Sequence, residues 1–250
     1  MKIAVCIKRV PDMELRFSIA GDGRSLDQAG LKYEMGDFDG YALEVGLRLL
    51  EKEGSGEVVV FSIGPDGVQE TLRKGLAMGA TRAVHLKVDE VPFDGLAVAR
   101  ALAAELGDGG YDLILFGRMA TDTANGTVGP MTAELLDLPC VTSISHLEIA
   151  EGRGNARRDL EGATESVQFP LPAVLTIDEG IARPRLASLK GIMAAKKKPL
   201  DVKPAQLGES RLMVEAMALP PERPPGRIIG EGAEAVPELV RLLQTEAKVL

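Results

Sequence analysis

The sequence EVVVFSIGPDGVQETLRKGLAMGATRAVHL, at residues 57–86, holds two short apolar runs separated by one helical pattern. The runs at 57–63 and 83–86 are rich in Val, Ile and Leu, which is typical of strands buried on both faces of a sheet. Between them, apolar residues recur at helical spacing over 67–78, and Gly79 predicts the end of the helix. The stretch therefore predicts a strand–helix–strand unit of a parallel sheet.

The same alternation continues in both directions along the chain. Asp66 and Gln69 are spaced as a capping box for the helix just described. Repeated strand-then-helix units predict a doubly wound α/β domain, with a mostly parallel sheet and helices on both faces. The further strands are expected at residues 2–7 and 111–116, and the further helices at 38–52, 93–106 and 126–136.

The pattern changes after about residue 145. Short strand-like runs at 145–151, 166–169 and 171–178 are separated by turns, which predicts a small antiparallel extension of the sheet. We therefore expect the nucleotide-binding type of α/β domain to occupy residues 1–198.

The remaining residues, 199–250, are expected to form a C-terminal arm that ends in an amphipathic helix at 234–248. Six of the 15 prolines of the chain lie within residues 199–225, and this density opposes helices and central strands. The apolar residues of the arm either dock on the same domain or lie across a partner subunit.

Composition excludes several classes of protein. The chain has 250 residues, of which 29 are basic and 37 acidic, so its net charge of −8 argues against a nucleic-acid coat. With 2 cysteines and 2 histidines, we expect a cytoplasmic protein without a disulfide framework, a metal cluster or a histidine-based catalytic triad. No apolar run approaches the ~20 residues of a membrane span.

The negative charge is unevenly distributed. Residues 183–203 hold seven basic residues and one acidic residue, so the other 229 residues carry −14. An apolar stripe lies within the same segment, formed by Leu186, Leu189, Ile192 and Met193. A stripe of this kind beside a basic patch predicts a docking surface, and the alternative is an ordinary solvated lysine run.

The loop GRMATDTANGTVGP, at residues 117–130, is the strongest candidate for a binding site. In an open α/β sheet, ligands bind beyond the carboxyl ends of the strands, where the loops after Ile7, Ile63 and Phe116 are expected to converge. A small polar loop that enters a helix offers backbone N–H groups to a phosphate. The alternative is a simple strand-to-helix turn, because the loop has no GxGxxG or GxxxxGK[ST] motif.

Several of these stretches resemble the beta subunit of an electron transfer flavoprotein. They are VCIKRVPD at 5–12, ALEVGLRLLEK at 42–52, the sequence at 62–86, the loop at 117–130, and LPAVLTIDEGIARPRLASLKGIMAAKKKPL at 171–200. The resemblance implies an electron carrier without catalytic residues of its own, in a heterodimer with an alpha subunit. It also implies an FAD shared with that subunit and a partner of the acyl-CoA dehydrogenase type.

The resemblance further implies a second adenine nucleotide within this chain, which is AMP in most members and a second FAD in electron-bifurcating ones. A single anion-binding loop favours AMP, and FAD stays open. Gly36-Asp37 replaces the usual Asn-Pro of the family, and Asp122-Thr123-Ala124-Asn125 replaces an Asp-Gly-Asp-Thr-type run. The implied nucleotide site comprises Cys6, Gly36, Asp37, Phe38, Asp39, Ile63, Gly117, Arg118, Met119, Ala120, Thr121, Asp122, Thr123, Ala124, Asn125, Gly126, Thr127 and Val128.

Three further roles follow from the resemblance. Met13 corresponds to a position beside the flavin ring, and Arg158 and Asp159 to a pair that faces the alpha subunit. Residues 181–195 correspond to a recognition loop in which Leu189 anchors in the dehydrogenase. The basic residues around that leucine are Arg183, Arg185, Lys190 and Lys196.

Two other functions compete with this interpretation. An adenylate-forming or nucleotide-hydrolysing enzyme would use the same crevice, but neither an SGGxDS nor an HxGH motif occurs. A nonredox adenine-nucleotide-binding module would leave the proline-rich arm and the basic segment without a task.

Overall fold

The computed structural model describes residues 1–222 and 225–250. It divides the chain into two units, Met1–Met217 and Ala218–Leu250. Arg223 and Pro224, which belong to the predicted arm, lie outside the described residues. The predicted functional division at residue 198 stays a prediction.

The first unit contains eleven strands and five α-helices within the described residues. Gly107–Gly109 adds a short 3-10 turn. In chain order the elements are β1 (Lys2–Cys6), β2 (Arg9–Pro11), β3 (Tyr33–Met35), α1 (Asp37–Glu53), β4 (Glu57–Gly64), α2 (Val68–Met78), β5 (Arg82–Lys87), α3 (Gly95–Leu106), β6 (Leu113–Gly117), α4 (Val128–Leu136), β7 (Cys140–Ala150), β8 (Arg153–Leu160), β9 (Ala163–Pro170), β10 (Ala173–Ile177), α5 (Leu189–Ala195) and β11 (Leu200–Pro204).

Nine of these strands form one sheet in the order β11-β5-β4-β1-β6-β10-β7-β8-β9. The strands from β11 to β7 pair in parallel, whereas β8 and β9 pair antiparallel. Strands β2 and β3 form a separate two-stranded antiparallel sheet. The predicted α/β fold with a mostly parallel sheet is confirmed. Because β1 pairs with both β4 and β6, the strand order reverses there, and open α/β sheets bind ligands at the carboxyl ends of the strands at such a reversal.

Helices cover both faces of the sheet, as predicted. Ile3 and Val5 of β1 belong to the apolar cluster that includes α1 and α2. Ala4 and Cys6, which point to the opposite face, belong to the cluster that includes α3 and α4. Strands between two helical layers are buried on both sides, which explains why their sequences are continuously apolar.

The antiparallel extension is formed by β7, β8 and β9. The expectation that residues 171–178 belong to this extension is wrong, because β10 lies between β6 and β7 and is parallel to both. All five residues of β10 are buried. Its continuous apolar sequence is typical of a central parallel strand, and the short turns around it concealed that signal.

Two details of the helices also differ from expectation. The capping box of α2 does not form, because the helix begins after Gly67 without a side-chain cap, and the Asp66 carboxylate instead accepts a hydrogen bond from Lys87 Nζ at 2.8 Å. Gly79 ends the helix as predicted.

Residues 200–204 form β11, an edge strand that pairs with β5. An edge position is compatible with the proline density that argues against a central strand. In the second unit, the predicted single helix at 234–248 is divided. A 3-10 turn at Ala233–Ala235 precedes α6 (Val236–Leu242), and a π-helical turn at Leu243–Ala247 follows it.

Candidate functional site

The carboxyl ends of β1 and β6 meet the start of α1, and this region is here called the crevice because open α/β sheets bind ligands at such a position. Asp39, in the first turn of α1, connects these elements through its carboxylate. Its Oδ2 accepts a hydrogen bond from the backbone N–H of Lys8 at 2.7 Å, and its Oδ1 accepts one from Gly117 at 3.2 Å. Asp39 therefore connects the first turn of α1 to the carboxyl ends of β1 and β6, which are neighbouring parallel strands.

The Asp39 carboxyl group is buried, and this burial raises its pKa to about 7. The hydrogen bonds from Lys8 and Gly117 lower the pKa but do not outweigh burial. Burial, and after it the nearby Asp39 carboxylate, also raises the pKa of the Cys6 thiol well above its usual range. With its pKa raised, the Cys6 thiol stays protonated near neutral pH, and a protonated thiol is a poor nucleophile. Cys6 therefore acts as a packing residue beneath the crevice.

Glycine is required where β6 approaches α1. A Cβ at Gly117 would lie 2.5 Å from Asp39 Oδ1 and 2.7 Å from the Cβ of Phe38. A Cβ at Gly36 would lie 2.8 Å from Asp39 Oδ2. The structure thus brings four of the predicted site residues together, Gly36, Phe38, Asp39 and Gly117. Ile63, another predicted site residue, is buried near the end of β4.

Residues 117–128, from the last residue of β6 to the first residue of α4, contain the loop that joins these two elements. Lys8 Nζ bonds the Asp122 carboxylate at 2.8 Å, and Ala124 and Gly126 have φ angles of 52° and 62°. These positive angles turn the backbone sharply before α4. The positions of the loop from Thr121 to Asn125 are exposed or half-buried.

Arg118 begins this loop and is fixed from two sides. Its guanidinium lies 5.1 Å from the centre of the Phe38 ring and bonds the Asp178 carboxylate at 2.9 Å. Asp178 is not among the site residues predicted from the sequence. Its position directly after a buried parallel strand was the available signal, since such positions face the same edge of the sheet as the other loops.

The start of α4 offers backbone N–H donors that no side chain caps in the described residues. Thr127 precedes the helix and makes no side-chain cap hydrogen bond. Because Pro130 has no N–H group, the donors of the first turn are the backbone N–H groups of Val128 and Gly129. Donors of this kind, at the positive end of a helix, suit a phosphate oxygen. The residues present therefore fit a nucleotide phosphate at this end of the loop.

An open cleft of about 490 Å³ adjoins this loop. Arg118, Met119 and Gly126 line one side of it, and Arg158 and Asp159 of β8 line another. The last two do not pair with each other. Arg158 bonds Glu165 at 2.9 Å, and Asp159 accepts a hydrogen bond from Thr164 at 3.2 Å.

Met13, the expected flavin neighbour, follows β2 and is 49% exposed. This exposure leaves the Met13 side chain available to a partner. Methionine is a flexible apolar residue that fits irregular surfaces.

The α5 segment, residues 181–195, presents an apolar surface. Leu186 is 95% exposed, Leu189 is 81% exposed, and Met193 is 59% exposed. Arg183, Lys190 and Lys196 are also exposed, and none of them belongs to a salt bridge in the part of the chain that the structure describes. These cations lie in or directly beside the segment that carries the exposed leucines, and exposed cations attract an acidic partner through long-range electrostatics.

Arg185 differs from these cations because it points toward α1. Its Nε bonds Glu44 at 2.8 Å, and its other nitrogens bond Glu44 and Glu51. Burial alone would raise the pKa of Glu44, but hydrogen bonds from Arg185 and Arg48 hold it below its usual value. The sequence placed Arg185 among the surface cations, and the structure shows its charge compensated by two carboxylates.

The far end of the α5 segment is fixed to α2. Arg73 donates to the carbonyl oxygens of Ala195 at 2.6 Å and Lys198 at 2.8 Å. Lys198 Nζ in turn donates to the carbonyl oxygens of Leu76 at 3.0 Å and Ala80 at 2.6 Å. Lys198 therefore belongs to the interior contacts of the domain rather than to the basic surface.

A family model described as an electron transfer flavoprotein domain matches residues 24–207. The chain is also 36% identical over 261 residues to the electron transfer flavoprotein subunit beta of Bacillus subtilis (strain 168), with 100% of both chains covered. The chain belongs to the family of electron transfer flavoprotein beta subunits. It is 38% identical to the beta subunit of Bradyrhizobium diazoefficiens, with 100% of both chains covered, and 35% identical to that of Homo sapiens, with 100% and 99% covered.

Electron transfer flavoprotein beta subunits are components of electron carriers, and this membership agrees with the predicted class of function. Within residues 1–222 and 225–250, no group of three or more His, Cys, Asp or Glu side chains is arranged to hold a metal ion. No helix in the described part of the chain is both long and apolar enough to cross a membrane.

Proposed function

We propose that this chain pairs with an electron transfer flavoprotein alpha subunit and carries electrons through an FAD at their interface. The observation that carries the proposal is the full-length similarity to beta subunits. When bound, FAD supplies the redox chemistry, and the protein supplies its position and electrostatic environment. Met13 would contribute to the wall beside the flavin, while Arg158 and Asp159 would face the alpha subunit.

Residues 199–250 are proposed to pack on the alpha subunit. Their exposed apolar side chains support this role, among them Met213, at 71%, and Val236, at 51%. A cytoplasmic location stays a prediction from the low cysteine content.

The crevice of this chain is proposed to hold AMP, with a second FAD as the alternative in an electron-bifurcating protein. One loop with free helix N–H groups supports a single phosphate rather than a diphosphate. Gly36, Phe38 and Asp39 would border the nucleotide at the start of α1, and the loop 117–128 would surround its phosphate. The nucleotide has no redox role in this proposal when it is AMP.

Mass analysis of released nucleotides tests both parts of the proposal. The chain is coexpressed with its alpha subunit, the complex is purified and denatured, and the released nucleotides are identified by mass. We expect one FAD and one AMP per heterodimer. Two FAD molecules and no AMP would contradict the AMP proposal and support the electron-bifurcating alternative. A colourless product that lacks FAD would contradict the flavoprotein function.

Electrons are proposed to arrive from a flavoprotein of the acyl-CoA dehydrogenase type that docks on the α5 segment. The support is the high exposure of Leu189, at 81%, together with the uncompensated cations around it. Transfer of one leucine side chain from water into an apolar pocket is worth about 1.5–3 kcal/mol. The basic residues would steer an acidic partner toward this leucine.

The variant Leu189→Ala tests the docking role. We expect slower reduction of the heterodimer by the dehydrogenase and an unchanged flavin content. Leu135→Ala, which changes a leucine 44% exposed on α4, is the matched control. A Leu189→Ala complex that is reduced as fast as the control would contradict docking through this segment.

A further inference from the structure

Leu186 is the most exposed of the large apolar side chains in the described residues. It is 95% exposed, compared with 81% for Leu189. A single exposed leucine is common on protein surfaces and by itself indicates no function. The contacts of its neighbours decide whether Leu186 is held outward by the fold.

The residue before Leu186 is fixed to α1 through its backbone and its side chain. The Arg185 backbone N–H donates to Glu44 Oε2 at 3.1 Å, and the Arg185 guanidinium bonds Glu44 and Glu51. The Glu44 side chain is only 3% exposed, and it also bonds Arg48 at 2.8 Å. A bidentate pair with a buried carboxylate defines both the position and the orientation of Arg185.

The backbone is restricted on both sides of this contact. Pro184, with its fixed φ angle, packs near Gly40, where a Cβ would lie 3.6 Å from Pro184 Cγ. On the other side, Ser188 caps α5 by accepting a hydrogen bond from the Gly191 N–H at 3.0 Å. Gly191 approaches α2 so closely that a Cβ would lie 2.3 Å from the Ala77 carbonyl oxygen. Leu186 is therefore exposed on a fixed backbone.

We propose that Leu186 is a second anchor beside Leu189, and that Arg185 is a positioning residue that holds Leu186 ready for docking. The inference rests on the proposed docking function of the α5 segment. The occupant is a flavoprotein dehydrogenase with an apolar surface bordered by acidic side chains. The charge complement on this chain consists of Arg183, Lys190, Lys196 and Lys197, all exposed.

Steady-state reduction of the holo-heterodimer tests Leu186. An acyl-CoA dehydrogenase is supplied with its acyl-CoA substrate, and the heterodimer is the varied substrate. Leu186→Ala is expected to raise KM about tenfold, the loss of one apolar anchor, with kcat unchanged. Leu186→Met, which conserves volume, is expected to restore KM. Leu135→Ala is the control, and flavin absorbance reports that each complex is loaded.

Salt dependence separates an apolar anchor from a steering charge. KM of the wild-type complex should rise with ionic strength because cations steer the encounter. The Leu186→Ala complex should show the same relative rise, since the variant removes no charge. A changed salt dependence, or a loss in kcat with KM unchanged, overturns the anchor role.

Arg185→Gln and Arg185→Lys test positioning. The first is expected to raise KM to a similar extent as Leu186→Ala, and the second, which keeps the charge but loses the planar fork, to raise it less. Because Arg185 is proposed to act through Leu186, the double variant Arg185→Gln with Leu186→Ala should exceed the larger single effect by less than about twofold. Full multiplication of the two effects overturns the positioning role.

The outcomes distinguish this inference from the proposed function. If Leu189→Ala raises KM and Leu186→Ala does not, the second anchor is wrong and docking through the α5 segment stands. If neither variant changes KM, both the second anchor and the proposed docking function are wrong. If both raise KM and the Met variant restores it, Leu186 is an anchor.

Discussion

Replacement of Lys198 by Met should destabilise the domain, whereas the same replacement at Lys197 should not. Lys198 Nζ donates to the carbonyl oxygens of Leu76 at 3.0 Å and Ala80 at 2.6 Å, at the end of α2. The adjacent Lys197 is exposed. Because methionine keeps the length and apolar stem of lysine, the replacement removes the donors with little change in packing.

The magnitude follows from the two carbonyls that lose their donor. A buried acceptor left without a partner costs about 1–3 kcal/mol. The lower end applies here, since Lys198 is only half-buried and water can reach part of the site, so the two carbonyls together cost about 2 kcal/mol. At about 2–4 °C per kcal/mol for a chain of this size, Tm should fall by about 4–8 °C.

Thermal unfolding of the purified heterodimers, followed by circular dichroism at one fixed scan rate, measures this effect. Lys197→Met should stay within about 0.5 kcal/mol of wild type, as expected for a surface substitution. Equal Tm values for the two variants would refute the inference that Lys198 caps α2. A fall in both would indicate a general role of positive charge in this segment.

Three further predictions concern the crevice and α1. The stability of the wild-type protein should fall as the pH rises from about 4 to about 7, because Asp39, with its pKa raised to about 7, keeps its proton in the folded state and loses it in the unfolded state. Asp39→Asn should abolish this fall, and Tm measured against pH tests it. Glu44→Gln should remove a stabilisation that is present above about pH 4.5 and lost in acid, since the pKa of Glu44 is lowered, and the acid limb of the same profile measures it. Gly117→Ala should reduce bound nucleotide and Tm, because its Cβ would meet Asp39 at 2.5 Å, whereas Gly21→Ala, with open space around it, should change neither; equal nucleotide content would contradict the close approach.

Hydrophobic periodicity predicted the main part of the fold. The central strands are buried on both faces, so their continuous apolar sequences are visible without any knowledge of pairing. The position of β10 was missed because strand order depends on contacts between distant residues, such as Val174 with Ile114. The loop at 117–128 and the start of α1 could be expected at one edge, since parallel strands place their carboxyl ends together.

The orientation of individual charged side chains was not predictable. Arg185 and Lys198 lie in the same basic segment as Arg183 and Lys196, and nothing in the local sequence separates inward from outward residues. Their partners are Glu44 on α1 for Arg185, and for Lys198 the carbonyls of Leu76 in α2 and of Ala80 just after it, all more than 100 residues away in the chain. The available sign in the sequence was Glu44, a carboxylate among the apolar residues of the α1 pattern. A buried charge of this kind requires an opposite charge.

Both outer strands of the nine-stranded sheet end in proline, β9 at Pro170 and β11 at Pro204. Each also carries a charged residue in an ion pair, Glu165 with Arg158 and Lys203 with Glu105. Proline and charge on an outer strand oppose the addition of another strand. Copies of this chain are thus protected from joining edge to edge into a continuous sheet, a form of aggregation to which open sheets are otherwise exposed.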